Sequence, residues 1–333
     1  MRASASVARI VHGAGLIARG LVHREHPLLA QIVPIRRCNI DCAYCNEYDK
    51  VSKPVPTPEM LRRIDRLADL GTEVVAFTGG EPMLHPDLDA LISHVCARRM
   101  TPGLITNGYL LSKARIAALN EAGLQYMQIS IDNVEPDEVS KKSLRLLDKK
   151  LQWLAECATF DVNINTVLGA GVKRPEDART IAMRAQALGL STSIGVIHDA
   201  GGCVKPLSPL ERQVWEDVSA LGHHGRWLFK NLYSGLVKFE ENLIEGRPNQ
   251  WRCRAGARYL YVCEDGLVHY CSQQRGTPGI PLERYTVEDI RREYWTPKSC
   301  APYCTIGCVH RVSIMDFWRD PQTPIKASQT PRV

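Results

Sequence analysis

The chain has 333 residues, 44% of them hydrophobic and 23% charged, with a net charge of +6. This is the make-up of one large globular domain with an appendage; no apolar run is long enough to span a bilayer, and no signal-peptide core is visible. Twelve cysteines would be a disulfide framework in a small secreted chain, but in a chain of this size without an export signal they read as reduced thiols and metal ligands, which places the protein in the cytoplasm. The mild basic excess reads as solvated surface, and no nucleic-acid partner is expected.

In chain order, Val7, Ile10, Val11, Ala14, Ile17 and Leu21 fall near helical spacing among Arg2, Arg9, Arg19 and Arg24. They predict an N-terminal amphipathic helix within residues 1–30, which either packs on the rest of the chain or makes peripheral contact with a membrane. Ile32–Ile35 is a strand that runs into Arg-Cys-Asn-Ile-Asp-Cys-Ala-Tyr-Cys, where Cys38, Cys42 and Cys45 form C-x3-C-x2-C. One short loop thus offers three thiolates. A structural zinc site closes with four protein ligands, whereas a reactive centre keeps a position open; thiolates are also the usual ligands of iron–sulfur clusters. A zinc knuckle completed by a distant residue is the alternative.

Strands and helices then alternate. Strands are expected at Glu73–Phe77, Gly103–Thr106, Gln125–Ile131, Asp161–Leu168 and Ser191–Ile197. Helices are expected at Thr57–Leu70, Pro86–Arg99, Ser112–Ala122, Lys142–Cys157 and Pro175–Leu188. This rhythm predicts a parallel α/β sheet over residues 31–205, with right-handed connections. The polar motifs fall at the carboxyl ends of the strands: the cysteine loop, Gly79-Gly80-Glu81-Pro82, Thr106-Asn107-Gly108, Ser130 with Asp132, and His198-Asp199, while Asn163 and Asn165 lie in the fifth strand.

With these residues in place, the first half of the chain resembles the radical S-adenosylmethionine (radical SAM) superfamily. The resemblance implies a partial (β/α)6 TIM-like barrel with its chemistry at the strand ends. It implies a 4Fe–4S cluster on Cys38, Cys42 and Cys45 whose open iron binds SAM. It also implies that Gly79, Gly80 and Glu81 hold the amino group of SAM, that Tyr44 lies near its adenine, and that Ser130 and Asn165 contact its ribose and methionyl parts. Strand-end capping is the other reading of the last two. Cys203, in the loop after the sixth strand, would be a hydrogen-atom donor or a plain loop cysteine. Cys96 and Cys157 read as core thiols.

A helical linker is expected over residues 206–249 and a cysteine-rich extension over 250–312, followed by a tail, 313–333. In the extension, Cys253 precedes and Cys271 follows a hairpin that turns at Asp265-Gly266; a helix spans about Val287–Tyr294; Cys300, Cys304 and Cys308 follow at x3 intervals. This resembles the SPASM or Twitch extension of radical SAM enzymes. The full pattern needs seven or eight cysteines and the segment has six, counting Cys263, so one auxiliary 4Fe–4S cluster is implied. Cys253 and Cys271 are two of its ligands, and two more come from Cys300, Cys304 and Cys308. A zinc ribbon is the alternative.

The family implies one-electron reductive cleavage of SAM to a 5′-deoxyadenosyl radical that abstracts a substrate hydrogen atom, with flavodoxin or ferredoxin as reductant. The expected substrate is a peptide or small natural product undergoing oxidation or bond formation; an isoprenoid or lipid is the second choice. A non-catalytic zinc-binding interaction module is the reading from another class.

Overall fold

The computed structural model describes residues 13, 15, 18–169, 171–197, 205–221 and 239–320. Cys203, His198, Asp199 and most of the expected N-terminal helix lie outside the described residues.

Six strands, β1 (Leu29–Ile35), β2 (Val74–Gly79), β3 (Thr101–Thr106), β4 (Tyr126–Ser130), β5 (Asp161–Gly169) and β6 (Ser191–Ile197), pair in parallel, each beside the next. Between them run α1 (Thr57–Asp69), α2 (Leu88–Ala97), α3 (Lys113–Glu121), α4 (Leu144–Cys157) and α5 (Glu176–Ala187), and α6 (Pro209–Leu221) follows β6. Local chemistry sets the helix ends: a proline occupies the first turn of α1, and the Ser112 hydroxyl accepts the Arg115 N–H at the start of α3.

Side chains alternate across a strand, and here the two faces differ in kind. Ala30, Ile32, Val75, Phe77, Leu104, Met127, Ile129 and Ile164 are buried on one face against the helices. The opposite face carries Gln31, Thr78, Gln128, Ser130, Asn163, Asn165 and Ser193. In a closed (β/α)8 barrel, branched apolar residues fill the inside. Across β4 to β6 this inner face is polar and hydrogen-bonded within itself, Asn163 Nδ2 donating to Ser193 Oγ (2.7 Å) and Ser193 Oγ to Asn165 Oδ1 (2.9 Å). Toward β1 it is largely apolar, and Val33 is buried in a second cluster with Tyr259, Tyr261 and Trp251.

The sheet does not close. Its order is β6-β5-β4-β3-β2-β1-β7-β8-β9, where β7 (Tyr259–Val262), β8 (Leu267–His269) and β9 (Pro278–Pro281) belong to the cysteine-rich segment. The expected hairpin is present as antiparallel β7 and β8. Two features were not foreseen: β7 pairs in parallel with β1, and β9 adds a third strand. The carboxyl end of β7 therefore points the same way as the cysteine loop. Helices α7 (Val287–Trp295) and α8 (Gly307–Ser313) complete the segment, α7 opening on a capping box of Thr286 and Asp289.

Residues 18–22 are helical and dock on this extension. The buried Arg258 guanidinium donates to the carbonyls of Gly20 (2.6 Å) and His26 (2.8 Å), and Asp316 stands 3.0 Å from its Nε. Arg19 pairs with both oxygens of Glu73. Among the described residues no helix is long and apolar enough to cross a membrane.

Candidate functional site

The cysteine loop leaves β1 and is stapled at several points. Cys38 N–H donates to the Asp49 carbonyl (3.0 Å), Asp49 N–H to the Arg36 carbonyl (3.1 Å), and Ala43 N–H to the Val139 carbonyl (2.9 Å). Backbone N–H groups of Ile40 and Glu47 point at the sulfurs of Cys38 and Cys45. Burial raises the Cys38 thiol and pushes Cys45 up to about 11, so these thiols stay protonated at neutral pH unless a cation draws the proton off.

Gly79 and Gly80 are needed by the packing of the chain. Gly79 has φ +108°, and a Cβ there would lie 2.4 Å from Val33 Cγ1; one on Gly80 would lie 2.2 Å and 2.4 Å from the carbonyl oxygens of Arg36 and Arg37. Only glycines let the end of β2 press against the chain entering the cysteine loop. The Glu81 carboxylate is fully buried and accepts from Thr106 Oγ1 (2.7 Å), Met83 N (3.1 Å) and Asn107 N (2.9 Å). Burial raises its pKa while these bonds oppose the rise. Three of its roughly four acceptor positions are filled, so it chiefly ties the loop after β3 to that after β2. Asn107 in turn reaches the cysteine loop, donating from Nδ2 to Asn39 Oδ1 (2.7 Å) and lying 3.7 Å from Cys38 Sγ.

Tyr44 is embedded in a charged network that sequence reasoning missed. Its hydroxyl donates to Asp132 Oδ2 (2.5 Å) and accepts from Lys142 Nζ (2.5 Å). Ser140 Oγ donates to the same Asp132 oxygen (2.6 Å) and lies 3.6 Å from Cys42 Sγ. Burial opposes the Lys142 charge, yet Asp132 and Tyr44 raise its pKa well above the usual value; burial likewise raises that of Tyr44. Asp132 was visible only as a polar strand end, Ser140 sits in an irregular stretch without a periodic signal, and Lys142, expected at the start of the following helix, lies just before α4, which begins at Leu144. Ser130 and Asn165 are half-buried neighbours in the β4–β5 ladder.

In the extension, Cys253 and Cys271 are buried, and Cys300 and Cys304 bracket the short turn Ala301–Tyr303. Burial pushes Cys253 up to about 11 and Cys271 to about 12, and raises Cys304 far above its ordinary value. Neighbouring thiols add to this: Cys300 acts on Cys253, Cys253 and Cys300 act on Cys271, and all three act on Cys304. The nearby Lys298 cation opposes the rise at Cys253 and Cys300. Each of these four thiols thus acts on, or feels, at least one of the others. Cys308 instead hydrogen-bonds Tyr259, and Glu47 and Arg311 are the charges acting on it. Cys96 and Cys157 are half-buried rather than fully buried, on α2 and α4.

The two cysteine regions are stitched together. Tyr261 donates to Glu47, Arg36 pairs with Glu264 (3.2 Å), and Asn46 Nδ2 donates to Gln273 Oε1 (3.3 Å).

Among the described residues, one donor set is tight enough for a single metal ion: Cys263, Asp265 and His269, with ligand atoms within 4.8 Å of one another. Its imidazole is in the wrong state for that role. His269 Nδ1 accepts the Gly276 N–H (2.8 Å), so in the neutral ring the proton sits on Nε2, the atom that would have to bind metal. Cys38, Cys42 and Cys45 do not form such a single-ion set.

Residues 32–186 match the family described as the Radical SAM superfamily. A PqqA peptide cyclase of Granulibacter bethesdensis is 35% identical over 117 residues, which is 34% of this chain and 31% of that protein. A GTP 3′,8-cyclase of Streptomyces coelicolor is 36% identical over 152 residues, 42% of this chain and 44% of that protein. The matches thus span less than half the length of these relatives. In overall fold, Streptococcus suis SuiB bound to S-adenosylmethionine superposes with a TM-score of 0.60 at 18% identity, over 88% of this chain and 68% of that one. Native anSMEcpe with bound AdoMet and Cp18Cys peptide superposes with a TM-score of 0.56 at 13% identity, over 89% and 97%. That likeness extends well past residue 186, into the segment that carries β7 to β9.

Proposed function

We propose that the chain, whose residues 32–186 match the Radical SAM superfamily, is a radical SAM enzyme that modifies a peptide by oxidation or bond formation. The observation that carries the reading is the three-thiol loop on the strand-end side of a sheet whose inner face is polar across β4 to β6. The residues fit a 4Fe–4S cluster: three thiols and no fourth cysteine in the loop, backbone N–H groups aimed at two of the sulfurs, and a close β1–β2 contact that holds the loop in place. Bound there, the cluster and SAM supply one-electron cleavage to a 5′-deoxyadenosyl radical.

The chain's own part is to hold and orient. Cys38, Cys42 and Cys45 bind iron. Glu81, through Asn107, keeps the loop after β3 against Asn39 and Cys38. Tyr44, held by Asp132 and Lys142, presents an aromatic ring beside the loop. Ser130 and Asn165 offer polar groups to SAM or substrate from the inner face. Cys253, Cys271, Cys300 and Cys304 hold the auxiliary cluster, and Cys308 stands outside that set. A flavodoxin or ferredoxin supplies the electron.

The 35% identity to a peptide cyclase supports a peptide over a lipid. Residues 18–22 dock on the extension, the Gly20 carbonyl accepting from Arg258 and the Leu21 carbonyl from Arg319. The test is anaerobic: cluster-loaded protein with SAM and dithionite, offered short peptide pools or isoprenoid-containing vesicles. Peptide-dependent formation of 5′-deoxyadenosine with a mass change in the peptide is the expected result. Stimulation by vesicles alone overturns the peptide assignment.

A further inference from the structure

Resting on the reading of Cys38, Cys42 and Cys45 as cluster thiolates, we propose that Ser140 and Asn107 donate hydrogen bonds to two of them and set the potential at which that cluster takes up its electron. Hydrogen bonds to the sulfurs are among the protein's main levers on the potential of an iron–sulfur centre. Each bond withdraws charge from sulfur and favours the reduced, more negative state.

Proton count makes the Ser140 assignment specific. In the free protein either Cys42 Sγ or Ser140 Oγ could donate across their 3.6 Å separation. A metal-bound thiolate has no proton left, so Ser140 holds the only hydrogen available to that contact. Its hydroxyl now donates to Asp132 Oδ2, but that oxygen has two other partners, the Tyr44 hydroxyl (2.5 Å) and Lys142 Nζ (3.4 Å). It can release the serine hydrogen and remain satisfied. Ser140 Oγ also accepts the Lys142 backbone N–H (3.2 Å), which anchors the oxygen while its hydrogen rotates. The serine hydrogen therefore has two seats, carboxylate and sulfur, and added negative charge on the cluster draws it to sulfur.

Asn107 is the fixed counterpart. Its Nδ2 lies 3.7 Å from Cys38 Sγ, and its Oδ1 accepts the Tyr109 N–H (3.0 Å), which defines which end of the amide is the donor. Glu81 holds its backbone. The sulfurs of Cys38 and Cys45 also receive backbone N–H groups that no side-chain change removes, so Ser140 and Asn107 are the adjustable donors.

The test uses the full chain with both clusters reconstituted, iron counted first, and the reduction of each cluster followed by electron paramagnetic resonance in a potentiometric titration. Ser140→Ala is expected to lower the reduction equilibrium constant of the SAM-binding cluster about tenfold, ~59 mV for one electron, with the auxiliary cluster unmoved as an internal control. Ser140→Thr keeps the hydroxyl and is expected to restore the wild-type value. Asn107→Leu removes the donor without adding charge and is expected to shift the potential in the same direction. Full iron with a wild-type potential in both Ser140→Ala and Asn107→Leu overturns the proposal. If Ser140→Ala fails to load, Asn107→Leu decides by the same criterion. A wild-type chain that takes no iron on the loop overturns instead the reading on which the proposal rests.

Discussion

Cys304 and Cys308 have the same spacing logic in the sequence, and both pack on the buried cluster that holds Cys253, Cys271 and Tyr259. They differ in partners: Cys253, Cys271 and Cys300 act on Cys304, whereas Cys308, on α8, hydrogen-bonds Tyr259. Cys304→Ala is therefore expected to remove about four irons from the reconstituted chain, and Cys308→Ser to leave the count unchanged; iron analysis of the two variants checks this. A second residue-scale prediction concerns His26. Burial, reinforced by Arg258, lowers its pKa from 6.5 to about 4. It is neutral in the folded chain, while in the unfolded chain it takes a proton near pH 6.5, so between these values the unfolded state binds more protons and stability falls as the pH drops. Thermal melts of apoprotein should show the wild type losing stability from about pH 6.5 toward 4 relative to His26→Gln, with no such change in the difference between pH 7 and 8.

At the scale of elements, most of the barrel was legible because each strand–helix unit prints its own periodicity. Expected and observed β6 coincide at Ser191–Ile197, and the others differ by a few residues at their ends. The extension was legible only in part. The hairpin turn at Asp265-Gly266 is written locally, but β7 pairs with β1 far away in sequence, and such pairing is set by packing on both. Strand β9 reads Pro-Gly-Ile-Pro, two prolines that argue against a strand unless it lies at an edge, which is where it is. The site followed the same division. Cysteine spacing and the Gly79-Gly80-Glu81 turn are visible in one dimension. The convergence of Ser140, Lys142 and Asp132 on Tyr44 and Cys42 is not, because it depends on where the irregular stretch after β4 folds back. The end of β2 presses directly on the chain entering the cysteine loop. Gly80→Ala places a methyl against backbone carbonyl oxygens that cannot move independently, so a loss of roughly 1–3 kcal/mol is expected. A lower urea midpoint with unchanged slope would register it.

Across the whole molecule, the extension continues the barrel sheet through β7, and the cysteine loop is bonded to it by Glu47, Arg36 and Asn46. One rigid frame thus fixes the two sets of thiols relative to each other and to the polar inner face. On this reading the frame holds two clusters with separate ligand sets. Iron and sulfide counts after anaerobic reconstitution test it most directly, on the wild type, a Cys42→Ala variant and a Cys271→Ala variant. About eight irons in the wild type and about four in each variant are predicted, with different resonance signals surviving in the two. About four irons in the wild type, lost together in one variant and untouched in the other, would contradict it.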